Sequence, residues 1–140
     1  MKGFFAVATT AAAVLANVGS ASARSGLEKR ITHNGQLTWF NPVQGKDGCG
    51  YKVPDGVPAV HVSSTYWRNG ENCGQWVNLK ANGKQSYGIV TGPCATCPSE
   101  GIDTSPNLFT DFGHQDDGLY QSQWSFMKKG WAPADLPECE

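Results

Sequence analysis

Cys94, Cys97 and Asp103 carry the residue types and the spacing that chemistry needs: a Cys-x-x-Cys pair followed closely by one embedded aspartate. Asp103 lies between Ile102 and a helix-start signal, Ser105-Pro106, in which serine suits an N-cap and proline the first helical position. A carboxylate there can accept backbone N–H groups at the helix start, or it can serve a site as acid, base or hydrogen-bond acceptor. A Cys-x-x-Cys can be a structural bridge, a redox couple or part of a metal site. The chain has no second Cys-x-x-Cys and no matching histidine spacing, and no redox-type helix follows the motif. A structural role is therefore expected, with no metal and no other cofactor.

The remaining titratable residues do not assemble by spacing. His33, His61 and His114 are scattered, which defines neither a catalytic triad nor a metal site. Asp111, Asp116 and Asp117 lie beside Gly113 and Gly118 and read as a solvated loop.

The chain starts Met1-Lys2, continues in an apolar run over residues 4–18 and reaches Ala21-Ser22-Ala23. This is the pattern of a secretory signal peptide over residues 1–23, and the run is too short and too rich in alanine and threonine to span a membrane. Lys29-Arg30 is a dibasic pair of the kind cut by kexin-type processing proteases, so residues 24–30 are expected to be a propeptide and the mature chain to begin at Ile31. Removing Lys2, Arg24, Lys29, Arg30 and Glu28 takes the 11 basic and 12 acidic residues to 7 and 11, and the net charge from −1 to −4. That balance argues against a nucleic-acid partner, which needs a basic face. No polybasic patch or hydrophobic helix suggests a membrane partner either. Residues 31–140 fit one extracellular domain whose modest core would gain from covalent staples, and the secretory leader favours disulfides over thiols.

Strands must position these residues. Residues 35–40 alternate as a first strand and residues 58–62 form a second. Residues 75–80 and 86–91 make a hairpin around Asn82-Gly83, which supplies the positive φ angles such a turn needs. A short helix is expected over 105–112 and a last strand over 119–126. Strands with little helix, broken by 17 glycines and 8 prolines, indicate a small β-barrel. Residues 127–140, with Lys128-Lys129, Trp131 and Cys139, form a tail outside this pattern.

Gly48-Cys49-Gly50, Asn72-Cys73-Gly74, the segment 92–109 and Gln123-Trp124-Ser125-Phe126 follow one another in an order that covers most of residues 35–126. In this the chain resembles the expansin-like and rare-lipoprotein-A-like, barwin-related secreted proteins, and most of all their small single-domain fungal members, the loosenin-like proteins. The resemblance implies a mainly β fold, a six-stranded double-psi β-barrel with one short helix. It also implies a Cys49–Cys73 bridge, which would contribute about 3 kcal/mol through the unfolded state. Cys94 and Cys97 are then left to pair locally, and Cys139 to be free or intermolecular. Residues 103–109 match the family's D-x-S-P-x-x-F pattern, which places Asp103 in a polysaccharide groove lined also by Thr38.

Two acids are absent at matched positions. Thr38-Trp39-Phe40 is followed by Asn41 where related barrel glycosidases have aspartate, and Gly92 stands where many relatives have the acid of V-x-D. Inverting and retaining hydrolysis both need two carboxylates. The resemblance therefore implies a secreted protein that binds and loosens cell-wall polysaccharide, cellulose or chitin, without hydrolysis; no residue is assigned a catalytic role, and Asp103 is the candidate if there is one. Phe40, Tyr66, Trp67, Trp76 and Trp131 are the candidate platforms for sugar rings, while Trp39, Trp124 and Phe126 are expected in the core. Alternation along residues 75–80 puts Trp76 with Asn78 and Lys80, opposite Val77 and Leu79, and so toward solvent. Two alternatives stand beside this reading. A small bacterial relative of the barrel inhibits papain-type cysteine proteases, a role that would use exposed loops such as residues 63–72. Rare-lipoprotein-A-like barrels also include lytic transglycosylases, in which one carboxyl acts as acid and then base.

Overall fold

Six strands form in chain order: β1 (His33–Trp39), β2 (Ala59–Ser63), β3 (Trp76–Ala81), β4 (Lys84–Cys94), β5 (Ile102–Thr104) and β6 (Tyr120–Phe126). In this computed structural model, which describes residues 31–42 and 44–134, they close into a barrel in the order β1-β5-β2-β4-β3-β6. The pairs β1·β5 and β2·β4 are parallel and the other four are antiparallel. This is the expected double-psi β-barrel. The expected signal peptide, the propeptide and Cys139 lie outside the described residues.

The strands follow the alternation of their sequences. Leu37, Val60, Val62, Val77, Leu79, Val90, Ile102 and Trp124 fill the interior, and Leu108, Phe109 and Phe112 join the same cluster. Trp39 and Phe126, expected in the core, pack against it while only partly buried. Gly88 faces this interior: a Cβ there would lie 2.4 Å from Val60 Cγ2 and 2.6 Å from Leu108 Cδ2, so only glycine lets β4 pass. The β3–β4 turn is Asn82-Gly83, with φ of 50° and 72°, the positive values that a two-residue hairpin demands. Strand β5 has no separate signal in the sequence, because three residues are too short for a pattern.

Helices are single turns, α1 (Ser64–Trp67) and α2 (Pro106–Phe109). The second starts at Pro106 as the sequence predicts, but the Ser105 hydroxyl makes no capping bond. It accepts instead from Ala59 N–H at 3.0 Å, tying the start of α2 to β2. Both expected disulfides are present, Cys49–Cys73 and Cys94–Cys97.

The first part of the tail packs. Met127 N–H donates to Trp76 O at 2.8 Å and Gln75 Nε2 donates to Met127 O at 2.7 Å, which folds the chain back over the outer face of β3. Val57, Trp76, Ile89 and Met127 make a second buried cluster there, flanked by Tyr87 and Trp131. Among the described residues no helix is long and apolar enough to cross a membrane.

Candidate functional site

A row of four residues crosses neighbouring strands on the outer wall of the barrel. Thr38 on β1 is level with Asp103 on β5, Asp103 with His61 on β2, and His61 with Gly92 on β4. Each flanking residue that points inward is apolar or internally bonded: Leu37, Ile102, Val60 and Val62 are core, and the Thr104 hydroxyl donates to Thr38 O at 3.0 Å. A period of two therefore turns Thr38, Asp103 and His61 to one outer face.

Asp103 is the centre of the row. Thr38 Oγ1 donates to Asp103 Oδ1 at 2.8 Å. Burial pushes the Asp103 carboxyl above the usual carboxylate range, and the Thr38 hydrogen bond, the His61 imidazole and the Thr104 N–H offset only part of that. A half-buried carboxyl with few donors is under-solvated and can accept further hydrogen bonds.

A second carboxylate stands beside it, from a residue that sequence reasoning did not single out. Asp47 Oδ2 accepts from His61 Nε2 at 2.6 Å and from Thr91 Oγ1 at 2.7 Å, while Oδ1 accepts from Gly48 N–H at 2.8 Å. Only 8% of the Asp47 side chain and 11% of that of His61 are exposed. Burial pushes this carboxyl up, but the bonds from His61 and Thr91, the His61 charge and Gly48 N–H outweigh it, and Asp47 stays below the usual range. The strand pairing explains how Thr91 reaches it. The register of β2 on β4 shifts between Val60↔Val90 and His61↔Gly92, leaving Thr91 as the extra residue of a bulge, a device that re-aims a side chain. Its carbonyl, released from the ladder, accepts Cys49 N–H at 2.8 Å.

Gly92 makes room for this arrangement. A Cβ on Gly92 would lie 2.6 Å from Asp47 Oδ1 and 3.0 Å from His61 Nε2, and one on Gly48 would lie 2.4 Å from Pro93 Cδ. The space over Gly92 is taken by an acid from the β1–β2 connection, Asp47. The signal that could have found it was weak: an acid two residues before a bridged cysteine.

Among the candidate aromatic residues, Phe40 alone adjoins the row. Its ring stacks on His61 with centroids 3.7 Å apart and planes at 4°. Phe40 and Asp47 also line a cleft of about 210 Å³ together with Ala59, Ser105 and Pro106. Trp76 does not face solvent as expected. Its alternation is as read, outward from Val77 and Leu79, but Val57, Ile89 and Met127 cover it and it is 5% exposed. Tyr66 packs edge-on against His33, Trp124 and Phe126, at the far end of β1 from Thr38, and its hydroxyl donates to Glu100. Burial first, and then the bond to Glu100, push the Tyr66 phenol up to about 12. Trp67, half-buried in α1, packs against the main core. Asp111, Asp116 and Asp117 are exposed, as read from the sequence.

The Cys94–Cys97 bridge borders the row. The two sulfurs and a carboxylate oxygen of Asp103 all lie within 4.8 Å of one another.

By sequence, no family model matches the chain and no curated protein does. By structure it is similar to a mutant expansin of Clavibacter michiganensis in complex with cellohexaose, with a TM-score of 0.67 at 20% identity over 74% of this chain and 54% of that one. The apo form of that expansin matches equally, at 21% identity. The Streptomyces papain inhibitor matches with a TM-score of 0.63 at 21% identity, over 70% of this chain and 96% of the inhibitor. This chain thus spans about half of the expansin and nearly the whole inhibitor. At such identities the likeness defines the fold, a double-psi β-barrel of the kind shared by expansins and this inhibitor.

Proposed function

We propose that the Thr38–Asp103–His61 row is the floor of a groove that binds cell-wall polysaccharide, cellulose or chitin, and loosens it without hydrolysis, in a protein that works outside the cell. One observation carries this reading: Asp103 is half-buried with few donors, on an outer face, beside His61, on which Phe40 stacks. A carboxyl so placed accepts sugar hydroxyls while the ring stacks on a pyranose. Asp47 is poorly suited to be a second catalytic carboxylate: held ionised, it has no proton to give as a general acid, and His61, Thr91 and Gly48 N–H already engage both of its oxygens. The expansin neighbour's complex with cellohexaose supports a glucan as ligand. Two disulfides support an oxidising, extracellular location.

The test is a pull-down of the purified chain on insoluble cellulose and chitin, with an assay for released reducing sugar. Binding without release is the expected result. Sustained release that disappears in Asp103→Asn would favour the single-acid lytic route instead.

A second reading, inhibition of a papain-type cysteine protease, is favoured by a different feature. Arg68 and Asn69 are exposed, consecutive and left-handed, with φ of 44° and 56°, in a 3₁₀ turn over Arg68–Gly70 close to the Cys49–Cys73 bridge. Non-glycine residues held in that region make a stiff protruding loop, and the papain inhibitor is a barrel of matching extent. Retention on immobilised papain, unaffected by Asp103→Asn but lost when Arg68 and Asn69 are both replaced by glycine, would select this reading.

A further inference from the structure

We propose that opening the Cys94–Cys97 disulfide turns one end of the groove into a binding site for a thiophilic divalent cation such as Zn²⁺, with Cys94 Sγ, Cys97 Sγ and an Asp103 carboxylate oxygen as protein ligands. Among the described residues, these three form the one group of histidine, cysteine or acidic side chains whose ligand atoms converge, all within 4.8 Å of one another. Tetrahedral zinc needs sulfur–sulfur and sulfur–oxygen separations of roughly 3.5–4 Å, given bonds of about 2.3 Å to thiolate and about 2.0–2.2 Å to carboxylate. In the oxidised protein the sulfurs are bonded to each other. Once that bond breaks, the sulfurs part by side-chain rotation to reach the zinc spacing, and an Asp103 oxygen, within 4.8 Å of both, closes the remaining distance by rotation of its own side chain. Three protein ligands leave the fourth position to water.

The chemistry balances with a named reductant. A phosphine attacks one sulfur, the S–S bond breaks, and hydrolysis of the phosphonium gives phosphine oxide and two thiols. Cys97 is the partly exposed residue of the pair and Cys94 the buried one, which favours attack at Cys97. The cation then displaces the two thiol protons to solvent. Thr96 Oγ1 lies 3.8 Å from Cys94 Sγ and can donate to the thiolate. Occupation would draw Asp103 from Thr38 and so empty the groove of its acceptor; this consequence rests on the polysaccharide reading, whereas the cation site itself does not.

The test uses the full secreted chain carrying Cys139→Ser, which removes the fifth cysteine. After mild phosphine treatment, alkylation and peptide mapping are expected to find Cys94 and Cys97 free while Cys49–Cys73 remains closed. Co²⁺ added to that protein should bind at one equivalent, with a thiolate-to-cobalt charge-transfer band and tetrahedral visible absorption, and Zn²⁺ should displace it. The oxidised protein should show neither band. Asp103→Asn, checked for native fold by near-ultraviolet circular dichroism, should weaken Co²⁺ binding by more than roughly tenfold. A reduced protein without the charge-transfer band overturns the proposal, and so does Co²⁺ affinity unchanged in Asp103→Asn. A band that appears only after Cys49 and Cys73 are freed does the same.

Discussion

Asp47 Oδ1 lies 2.6 Å from the point where a Cβ on Gly92 would stand, so the loop carboxylate and the strand glycine exclude any larger pair of side chains at this place. The barrel holds an acid next to His61 from the β1–β2 connection, not from the neighbouring strand β4. That origin has a chemical consequence, because the loop acid arrives with His61, Thr91 and Gly48 N–H already bonded to it.

Gly92→Ala should lower stability by about 1–3 kcal/mol, the range for forcing atoms into a packed site. Its neighbours are Asp47 and His61, which are bonded to each other and cannot both move aside cheaply. Urea unfolding measures the loss. An unchanged midpoint would mean that Asp47 leaves the site freely.

Asp47→Asn should cost about 1–3 kcal/mol at neutral pH, by weakening buried hydrogen bonds. The folded-state pKa of Asp47 is below its unfolded value, so its contribution is present above the ordinary carboxyl range and is lost as pH falls through the folded value. The melting temperatures of the two proteins should therefore converge in acid. A gap that stays constant from neutral pH to acid would contradict the ionised pairing with His61.

Asp103→Asn should behave in the opposite way. Its carboxyl is raised by burial, so the fold loses stability as pH rises from the unfolded value through the folded one. The variant should be at least as stable as the parent at neutral pH and should match it only in acid, while retention on insoluble polysaccharide drops. A lower melting temperature at pH 7 would show that Asp103 supports the fold, not a ligand.

Trp76→Ala should destabilise by about 3–5 kcal/mol, as truncation of a buried tryptophan does, because the ring is packed among Val57, Ile89 and Met127. Trp76→Phe should keep polysaccharide binding. Phe40→Ala should reduce binding with a smaller effect on stability, since it removes a half-buried platform. Equal binding by parent and Phe40→Ala would move the stacking surface elsewhere.

Secreted protein should begin at Ile31, following cleavage after Ala23 and then after Lys29-Arg30. N-terminal sequencing decides this, and Arg24 as the sole start would remove the second cut.

Local features of the sequence determined a small β-rich barrel and the helix turn after Asp103, while the double-psi class and the Cys49–Cys73 pairing followed from the resemblance of its ordered motifs. Alternation sets which face a strand buries, Asn82-Gly83 sets a hairpin, and Ser105-Pro106 starts a helix turn directly after Asp103. Even Trp76 was assigned to the correct face of β3. What covers that face was not legible, since Met127 and Val57 arrive from distant segments and their contacts leave no trace in the periodicity of residues 75–80. The same holds for the site. Thr38 and Asp103 are 65 residues apart, and Asp47 and Thr91 are 44 apart. Their meeting depends on the parallel pairing of β1 with β5 and of β2 with β4, and on a bulge that one shift of register creates. Tertiary structure alone decided that Asp103 has one side-chain donor while three donors converge on Asp47, because that is set by the groups that closure of the barrel brings within 3 Å of each.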